Sequence, residues 1–150
     1  MRVVIQRVNE AHVTISDEVV GEIGRGLLVL VGVATGDTTL DSEWLTQKIA
    51  KLRIFPDEDG QMNRSVMDLG ADVLVVSQFT LNASTRKGTR PSFNEAAKPE
   101  VARAQYENFL ELLEKILGRP VARGVFAAHM KVALVNDGPV TLIIDSRQRE

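Results

Sequence analysis

The chain predicts an α/β domain with mixed sheets and helices on one side, and three features of the sequence carry that expectation. Residues 27–33 and 73–76 are unbroken apolar runs of strand length, the pattern of strands covered on both faces. A segment with helical spacing follows each of them, which makes two β-then-α units. Further β-rich runs lie before the first unit and after the second, so sheet brackets the helices at both ends.

Taken in order, residues 3–8 and 12–15 read as strands joined through Asn9-Glu10-Ala11. Residues 19–23 continue a meander through Asp17-Glu18. Asp37 and Thr38 are good N-cap types for a helix through about Arg53, with Leu45, Ile49 and Leu52 in one apolar stripe beside Trp44. A second main helix opens at Pro99, a favoured first position. It keeps helical spacing through Tyr106, Phe109, Leu110, Leu113, Ile116 and Leu117 until Gly118 and Pro120 stop it. Between the helices the 73–76 strand delivers Ser77 to its C-terminal end, and residues 130–135 and 140–144 complete the strand set.

At 150 residues the chain reads as one domain, 1–150, with no internal repeat or linker. A chain of that size buries close to ~70% of its unfolded surface, so it needs no metal or disulfide to fold. It has no cysteine, which excludes a thiol nucleophile, thiolate zinc sites and disulfides, and suits a reducing compartment. No apolar run reaches the ~18 residues of a membrane span and no leader-like segment opens the chain, so the expectation is a cytoplasmic protein without membrane contact. A net charge of −2 argues against a generic nucleic-acid coat, which depends on many Lys and Arg. It leaves room for a grip on a few terminal nucleotides through a local cluster such as Arg86, Lys87 and Arg90.

Two short polar stretches stand out. Ser77-Gln78-Phe79-Thr80-Leu81 follows a buried strand, where a rigid element aims side chains and the next loop leaves N–H groups free. Asn136-Asp137-Gly138-Pro139-Val140-Thr141 lies between two β-rich runs and has the composition of a tight hairpin turn. Proline after glycine is unusual there, because it removes an N–H, and an X-Pro bond is where a cis peptide is cheap.

Together with the 1–8 start, Phe55-Pro56-Asp57 and Met62-Asn63-Arg64-Ser65, these two stretches resemble the signature motifs of the bacterial D-aminoacyl-tRNA deacylases over essentially the whole chain. The resemblance implies a three-layer α/β/β fold and a homodimer that hydrolyses the ester of D-aminoacyl-tRNA without a cofactor or metal. It implies that Ser77, Gln78, Phe79 and Thr80 are catalytic. It also implies that a cis Gly138-Pro139 bond is carried by one subunit into the site of the other, where the two carbonyls suit the substrate ammonium.

An aminoacyl ester is already activated, so positioning and charge stabilisation suffice and no covalent intermediate is demanded. In the preferred route Gln78 with Ser77 positions the carbonyl or the water, and N–H groups near Phe79 and Thr80 stabilise the oxyanion. A Thr80 nucleophile is the rival route, and it requires a nearby base that the motif does not contain. Two other classes stay open: a nucleic-acid-binding module without catalysis, and a small-molecule Ser or Thr esterase whose triad uses His12 or His129. Both histidines lie in strand-like runs, which favours packing or surface roles. Asp57-Glu58-Asp59-Gly60 reads as an acidic turn, because it lacks the register of a calcium loop.

Overall fold

The computed structural model describes residues 1–149. β1 (Arg2–Ile15) is a single strand of 14 residues where the sequence predicts two. Asn9 and Glu10 remain extended and simply lie exposed at the point where the strand changes neighbour. On one edge β1 pairs first with β3 (Gly26–Gly32), through Val8, and then from Ala11 with β2 (Glu18–Ile23). Its other edge is occupied along almost its whole length by β8 (Lys131–Asp145), in antiparallel register from Arg2 opposite Asp145 to Thr14 opposite Lys131.

The hairpin turn expected at 136–139 is therefore absent. Residues 130–135 and 140–144 belong to one strand of 15 residues that keeps the same neighbour throughout. From the Val8–Asn136 pair to the Gln6–Thr141 pair the chain takes five steps on β8 against two on β1, so the extra residues leave the ladder as a bulge. Turn-forming composition between two apolar runs does not distinguish these outcomes.

β6 (Asp72–Ser77) lies parallel to β3, and β7 (Ala122–Arg123) lies parallel to β6. Alternation along these central strands explains their unbroken apolar sequence. Leu27, Val29, Val31, Val73 and Val75 point to the helical layer, while Leu28, Leu74 and Val76 point to a second β layer. The helical layer is α1 (Thr39–Lys51) and α3 (Pro99–Leu117), which bury Leu45, Ile49, Phe109, Leu110 and Leu113. The second β layer forms because β1 outruns β3 and carries β2 across the sheet. An added Cβ on Gly21 of β2 would lie 2.6 Å from the Arg123 carbonyl of β7. The sheet thus closes on itself in a barrel-like curl, and the expected α/β/β order is found.

Thr38 caps α1 in a reciprocal capping box with Asp41, and Gly118 ends α3 in the left-handed conformation that favours glycine. The excursion between α1 and β6 contains elements the sequence reading did not predict: a small hairpin of β4 (Phe55–Pro56) and β5 (Met62–Arg64), and the one-turn helix α2 (Val66–Leu69). At its turn the Asp57 carboxylate accepts from the N–H groups of Asp59 and Gln61, each at 2.9 Å.

Candidate active site

Ser77 closes β6 opposite Val31, and the Gln78 N–H continues the pairing by donating to the Val31 carbonyl at 2.7 Å. The chain then turns sharply through a 3-10 segment, Phe79–Asn82. Gly32 makes room for the turn: a Cβ there would sit 2.9 Å from both the Gln78 carbonyl and Leu81 Cβ. Arg2 holds the turn from beneath, donating from Nη1 to the Leu81 carbonyl at 2.9 Å and from Nη2 to Asp145 Oδ2 at 3.0 Å. Burial alone would raise the Asp145 carboxyl, but bonds from the Arg147 N–H and the Arg2 guanidinium hold it below the ordinary carboxylate range.

The N–H groups of Phe79 and Thr80, which open this turn, have no hydrogen-bond acceptor among the described residues. Two successive free N–H groups at a strand end are donors of the type that oxyanion sites use. The Gln78 carboxamide donates to Thr80 Oγ1. No hydrogen bond among the described residues joins Ser77 or Thr80 to a histidine or a carboxylate that could take a proton from them.

Ser77, Gln78 and Phe79 line a cleft of about 680 Å³ whose walls are largely apolar, with Val31, Val76, Ala102, Tyr106 and Phe126 among them. Its mouth carries Phe79, Phe93, Lys98 and His129. His129 thus lies in a loop at the cleft rather than in the strand the sequence predicts, because β8 begins only at Lys131. At the cleft floor the Tyr106 hydroxyl donates to the Val75 carbonyl at 3.2 Å, and burial pushes its pKa up to about 12 against the opposing effect of Arg123. It serves as a neutral wall.

The second motif is elsewhere. In the sheet register Ser77 is level with Val3 of β1, whereas the bulge leaves β8 opposite 6–8. That separates the two motifs by roughly four residues, or ~13 Å, along the strand direction alone. The Gly138-Pro139 bond is cis, as the resemblance implies. The bulge is held firmly: Asn136 Nδ2 donates to the carbonyls of Arg7 at 3.0 Å and Val140 at 3.2 Å. The buried Arg7 donates from Nη1 to the Ile54 carbonyl at 2.6 Å and pairs through Nε with Asp137 at 3.0 Å. Gly138 and Pro139 themselves are exposed, on the outer strand of the sheet.

Sequence reasoning thus finds the residues of both motifs and misses the ones that hold them: Arg2, Arg7 and Gly32. A buried arginine in an apolar strand is a visible signal, since arginine is rarely buried without partners. Gly32 at the end of an apolar run is another, because it indicates close backbone approach.

Free amide donors, a carboxamide and hydroxyls at the head of an apolar cleft define an ester-hydrolase type of site on an α/β/β scaffold. The D-Tyr-tRNA(Tyr) deacylase family model matches residues 4–145. Curated relatives bearing the name D-aminoacyl-tRNA deacylase include one from Opitutus terrae, 62% identical with 100% of both chains covered. Another, from Flavobacterium johnsoniae, is 55% identical, again over 100% of both. Among solved structures, one titled c-Myc DNA Unwinding Element Binding Protein is 42% identical, covers 97% of this chain and 98% of its own, and superposes with a TM-score of 0.91. The chain belongs to the D-Tyr-tRNA(Tyr) deacylase family, whose curated members are hydrolases.

Proposed function

We propose that this protein hydrolyses the ester of D-aminoacyl-tRNA, releasing the D-amino acid and free tRNA, at the head of the 77–80 turn. The observation that carries the reading is the pair of unbonded Phe79 and Thr80 N–H groups at the cleft. Free donors of this kind, in the turn that begins at the cleft, suit an acyl oxygen as it develops charge. Gln78 with Ser77 orients the ester carbonyl or the attacking water. Thr80 is not the nucleophile in this reading: its Oγ1 accepts a hydrogen bond from Gln78, and nothing basic is bonded to it.

Gly138 and Pro139 take the substrate ammonium on their carbonyls, and they do so in the cleft of a second copy. Support for that assembly comes from the bulge being firmly held, exposed and distant from its own cleft. β8 further supports it as a long outer strand with Ile143 72% and Val135 47% exposed, an edge that invites a twofold partner. Each site is then composite. Main-chain groups that grip both ammonium and ester force the two enantiomers to point their side chains in different directions, and the Gly138-Pro139 wall excludes the L form. Glycine has no side chain to reject, so glycyl-tRNA is also hydrolysed.

No helix among the described residues is long and apolar enough to cross a membrane, and the reaction belongs to the cytoplasm, where aminoacyl-tRNA is made and used. The test is single-turnover deacylation of D- and L-tyrosyl-tRNA. D-specific hydrolysis that Gln78→Ala largely abolishes is the expected result. Equal rates on both enantiomers, or an acyl-threonine trapped on Thr80, would overturn the reading.

A further inference from the structure

The segment that follows the catalytic turn leaves the cleft as a closed loop. Ser84 and Ser92 exchange two backbone hydrogen bonds, Ser84 N–H to the Ser92 carbonyl at 2.8 Å and Ser92 N–H to the Ser84 carbonyl at 2.9 Å. Thr85 to Pro91 project beyond this bridge and are exposed. Immediately at the loop's base Phe93 meets Phe79 edge to face, with ring centroids 5.2 Å apart, and both rings line the cleft mouth. Phe79 is 56% exposed and Phe93 39%, although two large aromatic rings gain by burial.

The charge of the loop is as distinctive as its aromatic base. It carries Arg86, Lys87 and Arg90, and no acidic residue occurs between Asp72 and Glu95. Among the described residues every other arginine is occupied. Arg2, Arg7, Arg64, Arg119, Arg123 and Arg147 are in ion pairs. Arg53 bonds Asn63, and Arg25, Arg103 and Arg149 lie over aromatic rings. Only Arg86 and Arg90 have neither ion pair, hydrogen bond nor ring. In a protein of net charge −2, three unpaired cations beside two exposed rings form a local surface suited to single-stranded nucleic acid.

We propose that the unpaired 3′ tail of the RNA leaves the cleft across the Phe79 and Phe93 rings and runs along the 84–92 loop. A base next to the terminal nucleotide stacks on Phe93, and the phosphates of the tail pair with Arg86, Lys87 and Arg90. The inference rests on the proposed function, since it is the terminal nucleotide in the cleft that sets the direction of the tail. Stacking is indifferent to base identity, so this track grips any tRNA with the same single-stranded end, and it stops short of the duplex stem.

The experiment measures the affinity of an unacylated RNA minihelix with a single-stranded CCA end, and of the same minihelix made blunt, as a function of salt. In parallel it compares kcat/KM for D-aminoacyl-tRNA with that for D-aminoacyl-adenosine, which has no phosphate. Wild-type protein is expected to prefer the CCA-ended RNA, with a log–log salt slope that the triple variant R86A/K87A/R90A flattens by about 2, three phosphates each contributing ~0.7. The same variant should lower the ratio of tRNA to adenosine-ester activity by about tenfold, and Phe93→Ala should weaken minihelix binding by about tenfold. An unchanged salt slope and ratio in the triple variant, or equal binding of blunt and CCA-ended RNA, would overturn the track. Absence of deacylation with CCA-dependent binding intact would defeat the enzymatic reading and leave the track standing.

Discussion

The 77–80 and 136–140 segments are both short polar interruptions at the end of, or within, apolar strand, yet they are deployed in opposite ways. The first folds back into its own chain: Gln78 bonds β3, Gly32 admits the turn, and Arg2 ties Leu81 to the end of β8. The second is anchored just as firmly, by Arg7 and Asn136, but Gly138 and Pro139 at its tip are exposed. On the proposed reading the two segments meet in one site shared between two copies, and each half can be broken independently.

The largest effect is expected in the first half. Gln78→Ala should lose on the order of 10²-fold in single-turnover rate, the scale at which one positioned polar group acts, with an unchanged circular dichroism spectrum. Thr80→Ala should keep most of the rate, because the turn supplies its N–H whatever the side chain. Comparable loss in both would move the chemistry onto the Thr80 hydroxyl.

A mixing test then addresses the second half. A Cβ added at Gly138 would meet only Asn136 Oδ1, at 3.7 Å, so Gly138→Ala should fold normally while its methyl intrudes on the partner's cleft. Gln78→Ala and Gly138→Ala proteins should each be weak. After subunit exchange, activity should return to about a quarter of wild type, since half the dimers are mixed and each has one intact site. No recovery on exchange would mean that the two segments do not share a site.

Arg2 and Arg7 sharpen the comparison through stability. Arg7→Ala leaves the Ile54 carbonyl buried without a donor and Asp137 without its cation, and should cost about 2–3 kcal/mol in denaturant unfolding. Arg2→Ala removes a half-exposed side chain and should cost less, about 1 kcal/mol, but it releases the Leu81 carbonyl and so should lower kcat more than KM changes. An unchanged kcat in Arg2→Ala would show that the turn does not depend on Arg2.

The last effect is confined to alkali. The folded protein keeps the Tyr106 proton to about pH 12, whereas the unfolded chain releases it near ~10. That stabilisation is complete below ~10 and is lost as pH rises toward 12, by up to about 1.4 kcal/mol per unit. Tyr106→Phe should remove this component of the alkaline slope, read as unfolding midpoints at pH 9, 10 and 11. On the acid side the depressed Asp41 and Asp145 carboxyls act in the other direction. Burial opposes them, but the Ser146 hydroxyl and Thr38 N–H at Asp41, and Arg147 and Arg2 at Asp145, hold both charged. Their contribution is present above the ordinary range near ~4 and fades as pH falls below it.

Much of the fold was legible from the chain alone. Unbroken apolar runs identified β3 and β6 because those strands are covered on both faces, and capping chemistry located the starts of α1 and α3 at Thr38 and Pro99. Such signals are local, written in neighbouring residues. The polar interruptions at 77–80 and 136–140 were legible for the same reason. What the chain could not state was which strand each β-rich run joins. Residues 130–144 carry the same composition whether they fold as a hairpin or as one bulged strand along β1, and only the register with β1 decides it. Partners distant in sequence belong to the same class: Arg2 reaches Leu81 and Arg7 reaches Asp137 and Ile54 only in the folded chain. Periodicity and turn chemistry report what a residue does to its own backbone, whereas hydrogen bonds between remote segments exist only once the sheet has closed.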